Sequence, residues 1–321
     1  MRCKGRLFIS ISGIMMVLIL FDYHTSTRSI VADRYKKTVI EAENMENKYI
    51  SSVNNEEPIF MIVVCGGSGT NENTQKNYKN QLRQTAVLLK SAAALTKTYL
   101  RFLVITDSKS IYEDITASFH SWSPEYQHRL SLEYHPVWYP ADRSDVIAMY
   151  KPCSTQRLFL PSMFPQIDAT IYVDTDAIFM RPPEDLWNEF VNFAPDHVMG
   201  ISTEAYWYKS SENKVPYYGK NGLNAGLILM NLTRLRHFPG EDWTQASMNI
   251  LDQFKNDLKL GDQDIINVLF NKVIFISNYH SEPQAKYCVM KMKRKTVCIA
   301  FKYTLRGFRN TFLKKIRSAP S

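Results

Sequence analysis

Asp174 and Asp176 lie two residues apart, directly after the apolar run Ile171-Tyr172-Val173 and just before Ile178-Phe179. Two carboxylates at the end of a buried strand are costly unless a proton or a cation neutralises them. Hard oxygen ligands of this kind suit Mg²⁺ or Mn²⁺, ions that commonly also hold a substrate's phosphates. A D-x-D by itself is also an ordinary solvated turn, so its meaning depends on what else converges on it. Two later segments carry chemistry of their own. Gly222-Leu223-Asn224-Ala225-Gly226 leads into the apolar run Leu227 to Met230. Small residues around one amide let a ligand approach the backbone, and the amide both donates to and accepts from sugar hydroxyls. Gly261-Asp262-Gln263-Asp264 opens the apolar stretch Ile265 to Phe270, a pattern that is also that of a plain helix N-cap.

The elements that must position these residues alternate. Ile59 to Cys65 is a continuous apolar run ending in Gly66-Gly67, which predicts a buried strand and a permissive turn. Leu82 to Leu95 predicts a helix with Leu82, Ala86, Leu89 and Ala93 on one face, and the polar stretch Ser68 to Asn80 before it reads as a long loop. Leu100 to Thr106, Leu130 to His135 and Thr170 to Val173 read as further strands, and Ser154 to Leu160 as helical. Strands and helices on this spacing predict an α/β domain with a mostly parallel sheet, spanning residues 58–280. Ligands of such sheets bind beyond the carboxyl ends of the strands, where both Gly66-Gly67 and Asp174-Thr175-Asp176 fall.

The chain of 321 residues carries a net charge of +8, which raises nucleic acid as a partner. The distribution argues against it. From Lys286 onward there are 11 Lys or Arg and no Asp or Glu, and the rest holds 28 basic against 31 acidic residues. The basicity belongs to the tail, residues 281–321, and no nucleic-acid-binding signature accompanies it. At the other end, the basic residues 1–6 precede an uncharged, largely apolar stretch, with no small-residue cleavage site after it. This predicts a cytosolic segment 1–6, a signal-anchor membrane helix over 7–23 and a polar stem over 24–57, with the domain in the lumen of the Golgi or endoplasmic reticulum. Cys65, Cys153, Cys288 and Cys298 would then lie in an oxidising compartment, as disulfides of unfixed pairing or as buried thiols. Asn231-Leu232-Thr233 is an N-glycosylation sequon, but it directly follows a core strand, which argues against modification.

Taken in order, Lys151-Pro152-Cys153-Ser154-Thr155-Gln156-Arg157-Leu158-Phe159-Leu160-Pro161, Tyr172-Val173-Asp174-Thr175-Asp176, Tyr218-Gly219, Asn224-Ala225-Gly226, Met230-Asn231-Leu232-Thr233 and Gly261-Asp262-Gln263-Asp264 resemble the glycosyltransferase family 8 enzymes, most closely the glucoside xylosyltransferases. The resemblance implies a GT-A fold and UDP-xylose as donor. It implies transfer of xylose, with retained α configuration, to O-linked glucose on EGF-like repeats such as those of Notch. By the same resemblance Asp174 and Asp176 would hold Mn²⁺ (or Mg²⁺) on the diphosphate. Cys65, Arg157, Thr175, Asn224, Ala225 and Gly226 would line the donor site, and Asp262 and Gln263 would lie at the transferring sugar. An amide such as Gln263 is a poor nucleophile, which favours a front-side route over a double displacement through a carboxylate.

One family feature is missing. No His-Gly pair occurs in the chain, and Val297-Cys298-Ile299-Ala300-Phe301-Lys302 stands where a third metal ligand would come. That keeps open a lumenal binding protein without turnover. A haloacid-dehalogenase-type phosphatase is disfavoured, because several strands precede the acidic pair and Ile178 takes the position that class gives to Thr or Val.

Overall fold

The computed structural model describes residues 57–66, 72–141, 143–149, 153–194, 196–204, 207–238, 241–279, 288–291 and 299–301. The expected cytosolic segment, the anchor and nearly all of the stem lie outside the described residues, as does most of the 281–321 tail. Among the described residues no helix is long and apolar enough to cross a membrane.

A seven-stranded sheet forms the centre. Its strands are β1 (Ile59–Val64), β2 (Leu100–Thr106), β3 (Leu130–Pro136), β4 (Ala169–Val173), β6 (His197–Thr203), β7 (Leu223–Asn231) and β8 (Cys288–Lys291), and the order is β3-β2-β1-β4-β7-β6-β8. A second, two-stranded ladder joins β5 (Ala177–Phe179) to β9 (Ile299–Phe301). All residues of β1 and β4 are buried, which is why both read as unbroken apolar runs. β1, β2, β3 and β4 run parallel, whereas β7 is antiparallel to both β4 and β6. The sheet is therefore mixed, though mostly parallel. The basic tail contributes two strands, with β8 parallel to β6 and β9 antiparallel to β5.

β1 has β2 on one side and β4 on the other, so the strand order reverses there, at a topological switch point. The carboxyl ends of β1 and β4 emerge together. Because β7 is antiparallel to β4, with Val173 opposite Leu227, its amino end enters at the same place. Three separate segments thus reach one edge of the sheet.

Helix α1 (Glu72–Leu95) starts inside the stretch read as a loop. Residues Glu72 to Asn80 contain neither Gly nor Pro, and they form the leading turns ahead of the apolar stripe, largely exposed from Gln75 to Asn80. That stripe is also rotated from expectation. Thr85, Leu88, Leu89, Ala92 and Ala93 are buried, while Leu82 and Ala86 are half-buried. Thr85 tolerates burial because its hydroxyl donates to the Gln81 carbonyl at 2.9 Å. The helix expected over Ser154 to Leu160 is instead a 3₁₀ turn, Gln156–Leu158, followed by a short helix, Leu160–Met163. Pro161 lacks an N–H and suits only a first helical turn, so the helix restarts there. Phe60 stacks on Phe102 at 5.2 Å and meets Phe179 edge-on at 5.6 Å, tying β1 to β2 and β5. Elsewhere, α2 (Lys109–His120) buries Ile111, Ile115 and Phe119, and Trp243 of α3 (Trp243–Phe254) packs on Phe270 of α4 (Asp262–Tyr279).

Candidate active site

Arg157 is the hub. The 3₁₀ turn that carries it is anchored by its neighbour Gln156, whose fully buried amide accepts from Trp138 N–H at 2.8 Å and donates to the Trp138 carbonyl at 3.0 Å. From this turn the guanidinium donates to the Ala225 carbonyl and to Asp174 Oδ1 at 3.2 Å, and its Nε pairs with Asp262 Oδ2. It also lies over the Tyr172 ring, 4.4 Å from the centroid, a favourable cation–π arrangement. Burial works against its charge, yet Asp262, Tyr172 and Asp174 together hold its pKa above the ordinary arginine value.

Asp174 and Asp176 occupy the turn between β4 and β5, where the Ala177 N–H donates to the Asp174 carbonyl at 3.1 Å. The Asp174 N–H donates to the Gly226 carbonyl at 2.9 Å, extending the β4–β7 ladder into the site. Asp174 Oδ1 accepts from the Tyr172 hydroxyl at 2.9 Å as well as from Arg157, so both contacts fall on one oxygen and Oδ2 faces neither. Asp176 is half-buried and Thr175 is buried between the two. Two carboxylates at the end of one strand are a donor set that fits Mn²⁺ or Mg²⁺. Among the described residues the one grouping of three ligand-type side chains is Cys65, Asp107 and Cys153. Its sulfurs are joined in a disulfide, so it offers no thiolate to a metal.

On β7, Asn224 donates to Glu204 Oε2 at 2.7 Å and accepts from the Gly226 N–H at 3.1 Å. The Ala225 N–H donates to Gln263 Oε1 at 2.9 Å, and the Gln263 carbonyl accepts from Asn267 at 2.8 Å. Asp262 is the first residue of α4 and follows Gly261, whose φ is 60°. Its Oδ1 accepts from the Gln263 N–H at 3.0 Å. Burial pushes its carboxyl up to about 6, despite the opposing pull of Arg157 and with Asp174 adding to the rise.

The structure therefore brings Arg157, Asp174, Ala225, Gly226, Asp262 and Gln263 into one connected cluster, with Asn224, Thr175 and Asp176 adjoining it. Cys65 stands at the end of β1, expected as part of the donor site, but its thiol is taken by the disulfide with Cys153. The sequon asparagine belongs elsewhere. Asn231 ends β7 opposite Ala169, at the far edge of the sheet; it is fully buried, and its side chain caps helix Leu232–Arg236 by accepting from the Arg234 N–H. A glycan has no room there in the folded chain.

Several positioning residues escaped sequence reasoning. Asn267 accepts from the Leu223 N–H at 2.8 Å and donates to the Leu223 and Gln263 carbonyls and to the Tyr208 hydroxyl. Asp264 accepts from the Tyr208 hydroxyl and from the Lys259 and Leu260 amides, each at 2.7 Å. A polar Asn267 inside Ile265-Ile266-Asn267-Val268-Leu269 was the available signal, since a buried amide must find partners. Glu204 and Tyr172 had no comparable mark.

The family described as Glycosyl transferase family 8 matches residues 33–303. The chain belongs to glycosyl transferase family 8. Within family 8 it is 32% identical to glucoside xylosyltransferase 1 of Danio rerio over 219 residues, covering 63% of this chain and 54% of that protein. It is 31% identical to glucoside xylosyltransferase 1 of Mus musculus over 205 residues, covering 60% and 50%. The chain spans about half the length of these curated relatives. Among solved structures it is similar to mouse xyloside xylosyltransferase 1 in its apo form, with a TM-score of 0.51, 19% identity, and coverage of 68% of this chain and 82% of that one. The fold is GT-A-like, as expected of family 8.

Proposed function

We propose that this chain is a retaining glycosyltransferase that moves xylose from UDP-xylose, in α linkage, onto O-linked glucose of EGF-like repeats such as those of Notch. Asp174 and Asp176 would hold Mn²⁺ or Mg²⁺ against the donor diphosphate. The same reading sets the site in the Golgi or endoplasmic reticulum lumen, tethered by residues 7–23. The observation that carries the proposal is Arg157, which links the acidic turn after β4, the β7 backbone and the start of α4 in one buried cluster at the switch point. The names of the curated relatives supply the sugar and its acceptor class.

A bound divalent ion would act as a Lewis acid on the leaving diphosphate. The chain's own residues do the rest. Arg157 adds fixed positive charge where the leaving group's negative charge grows, and it is held in place before substrate arrives. Both oxygens of Asp262 are engaged, one by Arg157 and one by the Gln263 amide, so this carboxylate is not offered as a nucleophile. The Gln263 side chain is fixed by the Ala225 N–H, which sets a neutral dipole beside the sugar. This supports front-side displacement, with the departing phosphate taking the acceptor's hydroxyl proton.

The test offers the full chain UDP-xylose, Mn²⁺ and a glucosylated EGF repeat. Xylose transfer is expected, falling on the order of a hundredfold or more in Asp176→Asn. Binding of UDP with no transfer would instead mark a binding protein. A xylosyl adduct trapped on Asp262 would overturn the front-side route.

A further inference from the structure

We propose that the Cys65–Cys153 disulfide is a positioning bond for Arg157, holding the turn that delivers the guanidinium in its donor-binding register. The part of this that concerns UDP rests on the proposed function. The bond joins residues 88 apart in sequence, with a Cα–Cα distance of 6.1 Å. One end directly follows β1, and the other lies four residues before Arg157.

The β1 end is a fixed post. β1 is paired on both sides, by β2 and by β4, and the Gly66 N–H donates to Asp107 Oδ1 at 3.1 Å just past β2. The Cys153 end is not built into the sheet. It enters a 3₁₀ turn of three residues, held by single turns of hydrogen bonding: Gln156 N–H to the Cys153 carbonyl at 3.4 Å, Leu158 N–H to the Thr155 carbonyl at 2.9 Å, and Phe159 N–H to the Gln156 carbonyl at 3.0 Å. Short 3₁₀ segments have poor intrinsic stability and need external support. Apart from the contacts of Arg157 itself, two supports reach this turn from the sheet. Gln156 clasps the backbone of Trp138 beyond β3, and the disulfide clasps the end of β1. Together they fix the turn against two different strands, independently of the contacts that Arg157 itself makes.

The requirement for such support follows from the load on Arg157. Its guanidinium must satisfy Asp174, Asp262 and the Ala225 carbonyl at once and stay over Tyr172, so a small displacement of the turn costs several contacts together. Cys65 and Cys153 are half-buried rather than in the core, which suits a bond that sets local geometry.

The test compares the full chain with the double variant Cys65→Ala, Cys153→Ala. Ile115→Val, a buried change on α2, serves as a control for general destabilisation. Hydrogen exchange without ligand is expected to be about tenfold faster or more at the Gln156, Leu158 and Phe159 amides of the double variant, with β1 and β2 amides unchanged. Exchange at those three amides equal to that of the unaltered chain, or acceleration spread evenly over the sheet, overturns the proposal. Where the unaltered chain binds UDP, the dissociation constant should rise about tenfold in the double variant and stay within about twofold in Ile115→Val. An unchanged constant in the double variant also overturns it. If the unaltered chain does not bind UDP at all, the proposed function fails, and the exchange comparison alone decides the tether. Should the double variant not fold, reducing the folded chain with a trialkylphosphine in water, which yields two thiols and the phosphine oxide, gives the same comparison.

Discussion

Arg157 Nε pairs with Asp262 Oδ2, joining a 3₁₀ turn before β4 to the first residue of α4. Asp262 is buried and Arg157 largely so, and the guanidinium also touches Asp174, so a single cation balances carboxylates from two distant segments. Bringing such charges out of water is expensive, and the arrangement persists because each carboxylate has further donors: Tyr172 for Asp174, and the Gln263 amide for Asp262. In the proposed function, a donor's diphosphate and its counterion would rebalance this charge.

Truncating the cation should expose that cost. Arg157→Ala leaves Asp262 buried without its partner and is expected to lower stability by about 3–5 kcal/mol, measured by urea unfolding. Arg157→Lys keeps a charge but cannot span Asp174, Asp262 and the Ala225 carbonyl together, so it should recover part of the stability and little of any donor binding.

Asp262 also sets a pH dependence. Burial raises its folded pKa to about 6, above the value of about 4 for an ordinary aspartate. A carboxyl raised in this way contributes stability that is complete below the unfolded pKa and is lost as pH rises through the folded one. The stability of the native chain relative to Asp262→Asn should therefore decline between about pH 4 and pH 6 and level off above, in unfolding titrations across that window. A flat difference would show that Asp262 titrates in the folded chain as it does in the unfolded one.

The sequon makes a separate prediction. Asn231 is fully buried and caps helix Leu232–Arg236, so glycosidase treatment of the chain made in a secretory host should leave the mass at this site unchanged. Asn231→Ala should cost about 1 kcal/mol or somewhat more, because the Arg234 N–H loses its acceptor.

The strands were legible wherever burial on both faces left an unbroken apolar run, as in Ile59 to Val64 and Thr170 to Val173. The acidic turn was legible because two carboxylates after such a run are costly. The course of α1 was not, since Glu72 to Asn80 is polar and its helical state follows from continuity with a buried stripe that also admits Thr85. The role of Arg157 entered through family resemblance, because nothing local distinguishes an arginine that will be buried from one that will be solvated. Asn267, Asp264 and Tyr208 work through contacts between segments far apart in sequence, which single-residue patterns do not encode. The disulfide is of the same kind: two cysteines were visible, but their pairing depends on β1 and the Arg157 turn meeting at the switch point.

Gly222 offers a test of how tightly the β7 entrance is set. Its φ is +76°, and a Cβ placed there would lie 2.1 Å from the Tyr208 ring. Gly222→Ala therefore incurs both backbone strain and a clash, and is expected to cost at least about 2 kcal/mol. The clash should also move Tyr208, whose hydroxyl engages Asp264 and Asn267. Donor binding should then weaken more than the stability loss alone explains. Tyr208→Ala removes the ring that Gly222→Ala would strike, so the two substitutions should be non-additive: the double variant should be more stable than the sum of the single losses requires, by roughly 1 kcal/mol or more in urea unfolding. Additive losses would mean that the ring swings aside freely.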